Sequence, residues 1–216
     1  MIPDDNLAYP VLIILKNKAG TTLGFGSGLY FGTASAEYLV TAKHVIASGL
    51  PDEKTHQAEV PDLVLQLVSY SKDLPTPQRI LLTVDFKALL DKGDVKAHKT
   101  RDVAAIKLGA LKEEKVSLGL PDTQQFDPLR PLLRRAFIAG KDPQRRSLII
   151  DGPVYRGNSG GPVFEIEPEP NETHFHLVGI MTEFIPLTEK GADFMMLLNS
   201  GYSIAEPMDF VLELIQ

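Results

Sequence analysis

The sequence predicts an all-β fold. Short runs of alternating apolar and polar residues recur along the chain, separated by turns rich in Gly, Pro, Asn and Asp. At 216 residues the chain has the size of one such domain, and 44% hydrophobic with 23% charged residues is typical of a globular protein. Many short strands with few helical segments favour sheets that close on themselves.

The alternating runs predict the elements in order. We expect strands at 10–16, 22–31, 37–42, 62–69, 79–85, 102–108, 134–140, 147–151, 162–167, 174–184 and 194–204. The run from Asp85 to Gly93 has a helical pattern that ends at a glycine, and 167–172 is expected to be an acidic hairpin loop. The closing segment 206–216 is predicted to be a helix, in which Pro207 suits the first turn and an apolar stripe is formed by Phe210, Val211, Leu214 and Ile215.

A serine lies in a glycine-rich turn, Gly157-Asn158-Ser159-Gly160-Gly161. Glycines let the backbone bend tightly, which exposes the hydroxyl and brings backbone N–H groups together. A serine nucleophile and an oxyanion hole require this combination. We therefore predict Ser159 as a nucleophile and the N–H groups of Gly157, Asn158 and Ser159 as oxyanion donors.

Two other segments supply the partners that such a serine needs. His44 ends the apolar run that begins at Tyr38, and Asp102 stands at the start of an alternating strand. These residue types predict a general base and a buried carboxylate that orients it. The alternatives are His56 or His98 as the base and Asp94 as the acid, but each lies in a polar loop without a strand-end context. One face of the strand after Asp102 would carry Val103, Ala105 and Lys107, and the other Ala104, Ile106 and Leu108.

The chain order His44, Asp102, Ser159 resembles that of the chymotrypsin-like serine peptidases and differs from the subtilisin and α/β-hydrolase orders. The surrounding motifs resemble those of the bacterial HtrA-type branch across about residues 8–212. They are Gly26-Ser-Gly28, Thr41-Ala-Lys-His44-Val45, Asp102-Val-Ala-Ala-Ile106, Asp151-Gly-Pro-Val-Tyr-Arg-Gly-Asn-Ser-Gly-Gly161, Leu177–Thr182 and Gly201–Ala205.

The resemblance implies two six-stranded antiparallel β-barrels with a C-terminal helix, all within one peptidase domain over 1–216. The N-terminal barrel would span about 8–110, a linker about 111–131, the C-terminal barrel about 132–205 and the closing helix 206–216. His44 and Asp102 would come from the first barrel and Ser159 from the second, with the triad in the cleft between them.

The function implied by the resemblance is that of a serine endopeptidase working through an acyl-enzyme, without metal or cofactor, and regulated by loop ordering or by an activating protein partner. The alternatives are a protease-fold binding or scaffolding module with little turnover, and a protease dedicated to one partner. Asn158 stands where digestive proteases carry an aspartate, and the chain begins Met1-Ile2-Pro3, so activation through a new N-terminus is not expected. The segment 51–100 is longer than in HtrA-type domains and predicts an inserted short helix or a long loop near the cleft rim.

The resemblance also places a substrate pocket. Its base would be set by Pro153 and Val154, neither of which can pair with a basic side chain, and its wall by Thr182, Glu183 and Phe184. We expect a preference for small or medium aliphatic residues, and a basic residue becomes an option only if the Glu183 side chain turns inward.

Charge and composition limit the partners. A net charge of −6 argues against nucleic acid, and no apolar run approaches the ~18 residues of a membrane span, so we expect a protein or peptide substrate and no membrane. The absence of cysteine and of a recognisable signal peptide predicts the cytoplasm. His174 and His176 share a strand face, but no suitable further ligand completes a metal site, so no metal is expected.

Overall fold

The computed structural model describes residues 10–70, 79–108, 134–169, 173–191 and 194–216, together with the backbone of 114–115. Most of the predicted linker at 111–131 therefore lies outside the described residues, as do parts of the 167–172 loop.

The first sheet has eight antiparallel strands in the order β6-β7-β3-β2-β1-β4-β5-β8, and it curls into a half-barrel. A 3-10 helix, Lys43–Gly49, follows β3, and helix α1, Phe86–Asp91, follows β5. The strands are β1 (Pro10–Lys16), β2 (Thr22–Gly32), β3 (Glu37–Thr41), β4 (Val64–Tyr70), β5 (Arg79–Asp85), β6 (Val95–Ala97), β7 (Ala104–Leu108) and β8 (Glu114–Lys115).

The second sheet has five antiparallel strands in the order β11-β12-β13-β10-β9. Its two longest strands, β12 and β13, pair with each other beyond the points where their other neighbours end. Helix α2, Met208–Ile215, closes the chain. The strands are β9 (Phe137–Asp142), β10 (Ser147–Asp151), β11 (Pro162–Pro168), β12 (Thr173–Lys190) and β13 (Met195–Pro207).

The all-β class and the closing helix are confirmed, whereas two closed six-stranded barrels are not found in the described part of the chain. The first sheet has edges at β6 and β8, and the second at β11 and β9. Alternation identifies a strand and its buried face, but it carries no information on which distant edges meet. The segment 51–100 adds β6 to one edge of the first sheet and, as predicted for this stretch, contains the short helix α1.

One core cluster fills the inside of the curled sheet. It takes alternate residues from several strands of this sheet, because side chains at every second position face the same way. On β1 these are Val11, Ile13 and Leu15, and on β7 they are Ala104, Ile106 and Leu108, as the alternation predicted. The 3-10 helix contributes Val45 and Ile46, and Phe86 closes the cluster beneath α1.

A second core cluster covers the opposite face of β2, β3 and β7. Val103 and Ala105 belong to it, together with Tyr38 and Val40 of β3. Against them pack Ile180 of β12 and the buried side of α2, so this cluster joins the two sheets. The α2 residues in its centre are Met208, Phe210 and Val211, with Leu214 and Ile215 partly buried at its margin.

Neither α1 nor α2 approaches the length of apolar helix that crossing a membrane would require, and the same holds for every other helix in the described ranges.

Replacing Phe210 by alanine should lower the free energy of unfolding by about 3–5 kcal/mol, the usual cost of removing a fully buried aromatic ring. The matched control is Leu212→Ala in the same helix, where the side chain is exposed and the expected loss is below about 1 kcal/mol. Urea denaturation followed by circular dichroism measures both. Equal losses would mean that α2 does not hold the two sheets together.

Candidate active site

His44 lies in the first turn of the 3-10 helix, directly after β3. The two following residues, Val45 and Ile46, are buried in the first core cluster and anchor the helix. Gly26 on β2 provides the room that Val45 needs, since a Cβ at Gly26 would lie 2.7 Å from the Val45 side chain. The anchored helix holds the imidazole at the surface, with 49% of the side chain exposed.

Asp102 lies in the loop before β7 and binds His44 through both carboxylate oxygens. Oδ2 lies 2.6 Å from His44 Nδ1, and Oδ1 accepts the backbone N–H of His44 at 2.9 Å. The hydrogen bond to Asp102 raises the pKa of His44 above 6.5; partial burial opposes this rise, and the charges of Asp102 and Glu183 add to it. Because the carboxylate accepts, Nδ1 carries the proton and Nε2 is left free to accept another.

The Asp102 carboxylate was predicted to be buried, but it is only partly buried. The Asp102 side chain is 33% exposed, because the loop enters the core only at the next residue, Val103.

The loop that carries Asp102 is held by His98. Nδ1 of His98 accepts the N–H groups of Thr100 and Arg101 at 3.2 and 3.0 Å, and its carbonyl accepts a bond from Lys43 Nζ at 2.9 Å. His98 therefore shapes the loop that carries Asp102. Lys43, the residue before His44, ties the imidazole's helix to the same loop.

His56 and Asp94, the remaining candidates for base and acid, have backbone roles in other parts of the fold. His56 lies in an exposed turn with its N–H bonded to the Asp52 carbonyl, and the Asp94 carbonyl accepts the N–H of Lys107 on β7. Asp102 is the acid that binds His44.

Residues 155–161 form two consecutive tight turns. The first turn is closed by a hydrogen bond of 3.0 Å from the Asn158 N–H to the Tyr155 carbonyl. The second is closed by a hydrogen bond of 2.9 Å from the Gly161 N–H to the Asn158 carbonyl. The third residue of each turn has a positive φ, 94° at Gly157 and 91° at Gly160. This is the type II turn, which requires glycine at that position.

The 155–161 loop is bonded to the first sheet through Ser27 on β2. The Ser27 N–H donates to the Ser159 carbonyl at 2.7 Å, and the Ser27 hydroxyl donates to the Gly157 carbonyl at 2.6 Å. A Cβ at Gly160 would overlap the Ser27 carbonyl oxygen, so only glycine allows the loop to come this close.

Ser27 also links this loop to the strand that leads to the imidazole. Its carbonyl accepts the hydroxyl of Thr41 at 2.7 Å, and Thr41 is the last residue of β3, just before the His44 helix. The serine loop and the imidazole are thus attached to the same short stretch of sheet.

The Ser159 hydroxyl donates to the Thr182 carbonyl on β12 at 3.3 Å. Within the described part of the chain this is its only hydrogen bond, so the Ser159–His44 bond is not closed. Such bonds are often long or misaligned in ligand-free sites and tighten when a substrate binds. The structure thus joins His44 to Asp102 directly and attaches the Ser159 loop to Ser27, which is bonded to Thr41 at the end of β3.

The N–H groups of Gly157 and Ser159 donate to no acceptor among the described residues, whereas the Asn158 N–H is used in closing the first turn. Two of the three predicted oxyanion donors are therefore free. The side chain of Asn158 has a structural role instead, because its Oδ1 accepts the Tyr155 N–H at 2.9 Å and stabilises the first turn.

Two of the predicted pocket residues, Val154 and Thr182, are hydrogen-bonded to β13. Val154 is buried and its carbonyl accepts a bond of 2.7 Å from Asn199 Nδ2, while the Pro153 carbonyl accepts one of 3.0 Å from Arg134. Thr182 is also buried, and its hydroxyl donates to the β13 backbone at 3.3 Å.

Glu183 and Phe184, on the predicted wall, both reach solvent. The Glu183 side chain is 58% exposed, and its Oε2 lies 3.7 Å from a guanidinium nitrogen of Arg145. Phe184 is partly exposed beside it. The Glu183 carboxylate therefore faces solvent and Arg145.

Sequence reasoning missed the supporting roles of Ser27, Thr41 and Asn199. Thr41 had a signal, since a hydroxyl that ends an apolar buried run needs an internal acceptor. Ser27 and Asn199 had none, because their partners lie far away in the sequence.

Within the described ranges, no group of three or more His, Asp or Glu side chains could hold a metal ion. The two histidines of β12 pair with carboxylates of the neighbouring hairpin: His176 Nε2 lies 3.1 Å from Glu167 and His174 Nε2 lies 3.8 Å from Glu169.

No protein-family model matches this chain, and no curated protein matches it in sequence. The resemblance to HtrA-type peptidases consequently rests on the quoted motifs.

Proposed function

We propose that this protein is a serine endopeptidase of the chymotrypsin-like type, with Ser159 as nucleophile, His44 as general base and acid, and Asp102 as the orienting carboxylate. The observation that carries the proposal is the double contact of Asp102 with His44, made where Ser27 and Thr41 attach the serine loop. The two-barrel peptidase fold is the architecture that this proposal implies.

The proposed chemistry has two halves. Ser159 Oγ attacks the substrate carbonyl carbon while its proton passes to His44 Nε2, and the N–H groups of Gly157 and Ser159 bind the resulting oxyanion. The C–N bond then breaks, and Nε2 gives the proton to the leaving amine. Water attacks the acyl-enzyme with His44 again as base, which releases the acid and returns the proton to Ser159.

The turn conformation favours a site that is assembled without a ligand. Flipping the Arg156–Gly157 peptide would convert the first type II turn into type I, in which the third residue has a negative φ. Gly157 has φ of 94°, so its N–H is left free for an oxyanion. An activating partner would then act on substrate access and not on this peptide.

A specific feature favours the second candidate, a binding or scaffolding module. Beyond β11 and β10, the strands β12 and β13 continue as a two-stranded arm with exposed apolar side chains. Isolated two-stranded ribbons are marginal in water, and exposed apolar patches often mark interaction sites. The exposed residues are Leu187, Phe194, Met195, Met196 and Leu197.

Labelling with a small fluorophosphonate should occur in the wild type and be lost in Ser159→Ala, because only an activated serine forms the phosphonyl ester. Ser35→Ala, at an exposed turn, is the matched control and should label like the wild type. Mass spectrometry of the labelled peptide identifies the site. A folded wild-type protein that does not label would overturn the peptidase proposal and favour the binding module.

The labelling rate should rise with pH with a midpoint above 6.5, because the base must be neutral and the pKa of His44 is raised by Asp102. Activity is therefore lost as the pH falls through this raised pKa. In Asp102→Asn the midpoint should move down and the rate should fall by about 10⁴. Asp94→Asn serves as the control with an unchanged profile, and an Asp102→Asn profile equal to the wild type would exclude Asp102 from this role.

Peptide amides with alanine, valine or leucine at the attacked residue should be cleaved at least roughly tenfold faster, in kcat/KM, than those with lysine or arginine. Pro153 and Val154 offer a basic side chain no partner, and the carboxylate of Glu183 faces solvent. A preference for lysine would show that Glu183 turns into the pocket when substrate binds.

A further inference from the structure

Glu183 is an exposed carboxylate beside the reacting groups that the proposed chemistry does not use. It follows Thr182, whose carbonyl accepts the Ser159 hydroxyl, and its charge contributes to raising the pKa of His44. Its side chain is 58% exposed, so it is available to a bound molecule.

Among the described residues, no strand pairs with this edge of β12 from Thr182 onward. On this side β12 pairs with β11 as far as Ile180, and Met181 is bonded to the backbone of Gly160 and Gly161; on its other side β12 pairs with β13, with a bulge at Thr182. The Thr182 carbonyl points to this edge, because it meets the Ser159 hydroxyl there. An extended peptide can therefore add to Thr182–Phe184 as an antiparallel strand.

The register of such a peptide follows from the position of Ser159. The attacked residue must lie opposite Thr182, so the residue before it lies opposite Glu183 and the next one opposite Phe184. Directly opposed side chains share a face, with Cβ atoms about 4.5–5.5 Å apart. The carboxylate thus meets the side chain immediately before the attacked residue.

We propose that Glu183 is a specificity determinant that selects substrates with lysine or arginine at the position immediately before the attacked residue. This inference rests on the proposed peptidase function and adds a basic residue to the aliphatic one expected in the primary pocket. The net charge of −6 acts in the same direction by attracting cationic segments.

In this structure the Arg145 guanidinium forms an ion pair with the Glu183 carboxylate. The pair is loose, at 3.7 Å with 62% of the Arg145 side chain exposed, and Arg145 also lies 3.9 Å from Asp142 on its own turn. An exposed pair of this kind contributes little to stability, and Asp142 offers the arginine a second carboxylate. A basic substrate side chain can therefore replace Arg145 at small cost.

The test uses three peptidyl diphenyl phosphonates that carry valine at phosphorus and differ only in the preceding residue, which is lysine, alanine or glutamate. Inactivation rates should follow the order lysine, alanine, glutamate. We expect about a fivefold to tenfold difference between the extremes at low salt, decreasing as salt rises, since an exposed pair gives a few-fold effect in each direction.

Variants test whether the preference for lysine depends on Glu183. Glu183→Gln should remove the order, and Arg145→Gln should increase the lysine preference because the competitor is gone. Glu189→Gln is the matched control, since it removes an exposed charge from the same strand without facing the site. Glu183→Gln should also lower the midpoint of the pH profile, because its charge raises the pKa of His44.

The outcomes separate this inference from the function on which it rests. If the small fluorophosphonate labels Ser159 but the three peptidyl probes react equally, the peptidase stands and the role of Glu183 is refuted. If the Glu183→Gln variant keeps the same order of inactivation rates, the role of Glu183 is refuted as well. If no probe labels the folded protein, the peptidase proposal itself fails.

Discussion

The close approach of the 155–161 loop to Ser27 is the contact on which the geometry of the site depends. The N–H, hydroxyl and carbonyl of this one residue are all bonded, two of them to the serine loop and the third to Thr41. Only a glycine at position 160 lets the two backbones come so near. Most of these groups belong to the backbone, so the second sheet is positioned against the first with little side-chain freedom to lose.

Two carboxylates act on the imidazole in physically different ways. Asp102 is hydrogen-bonded to both the ring and the backbone of His44, so it fixes the tautomer and the ring orientation. Glu183 has no such bond to the ring and acts only through its field, which solvent and salt screen. Both favour the protonated imidazole, which the proposed mechanism forms during attack. The first therefore suits the orienting role proposed for Asp102, and the second the recognition of a substrate charge proposed for Glu183.

Local sequence signals predicted most of the strands and indicated the candidate triad, but they missed β6 and β8 and ended β12 at residue 184 instead of Lys190. Contacts between distant residues left no local signal. β1, β5 and β10 have the predicted bounds, because alternation is a property of neighbouring residues. His44 and Asp102 were found through their strand-end positions. The open edges of the sheets, the exposure of Asp102 and the role of Ser27 depend on partners far along the chain, which no local pattern records. The hydrogen bond of the Asn158 N–H could not be predicted either, because it closes a turn whose type the glycine pattern leaves open.

The last helix connects the stability of the fold with the position of the acid. Phe210 of α2 lies in the cluster that joins the sheets, with the Arg101 guanidinium 4.2 Å above its ring and the His98 ring 5.6 Å away. Those two residues belong to the loop that presents Asp102. Buried Glu206, whose pKa is raised mainly by burial, lies 3.8 Å from Arg101 on the other side. The loop that presents Asp102 thus rests on the C-terminal segment although it belongs to the first sheet, so the position of the acid depends on the packing of α2.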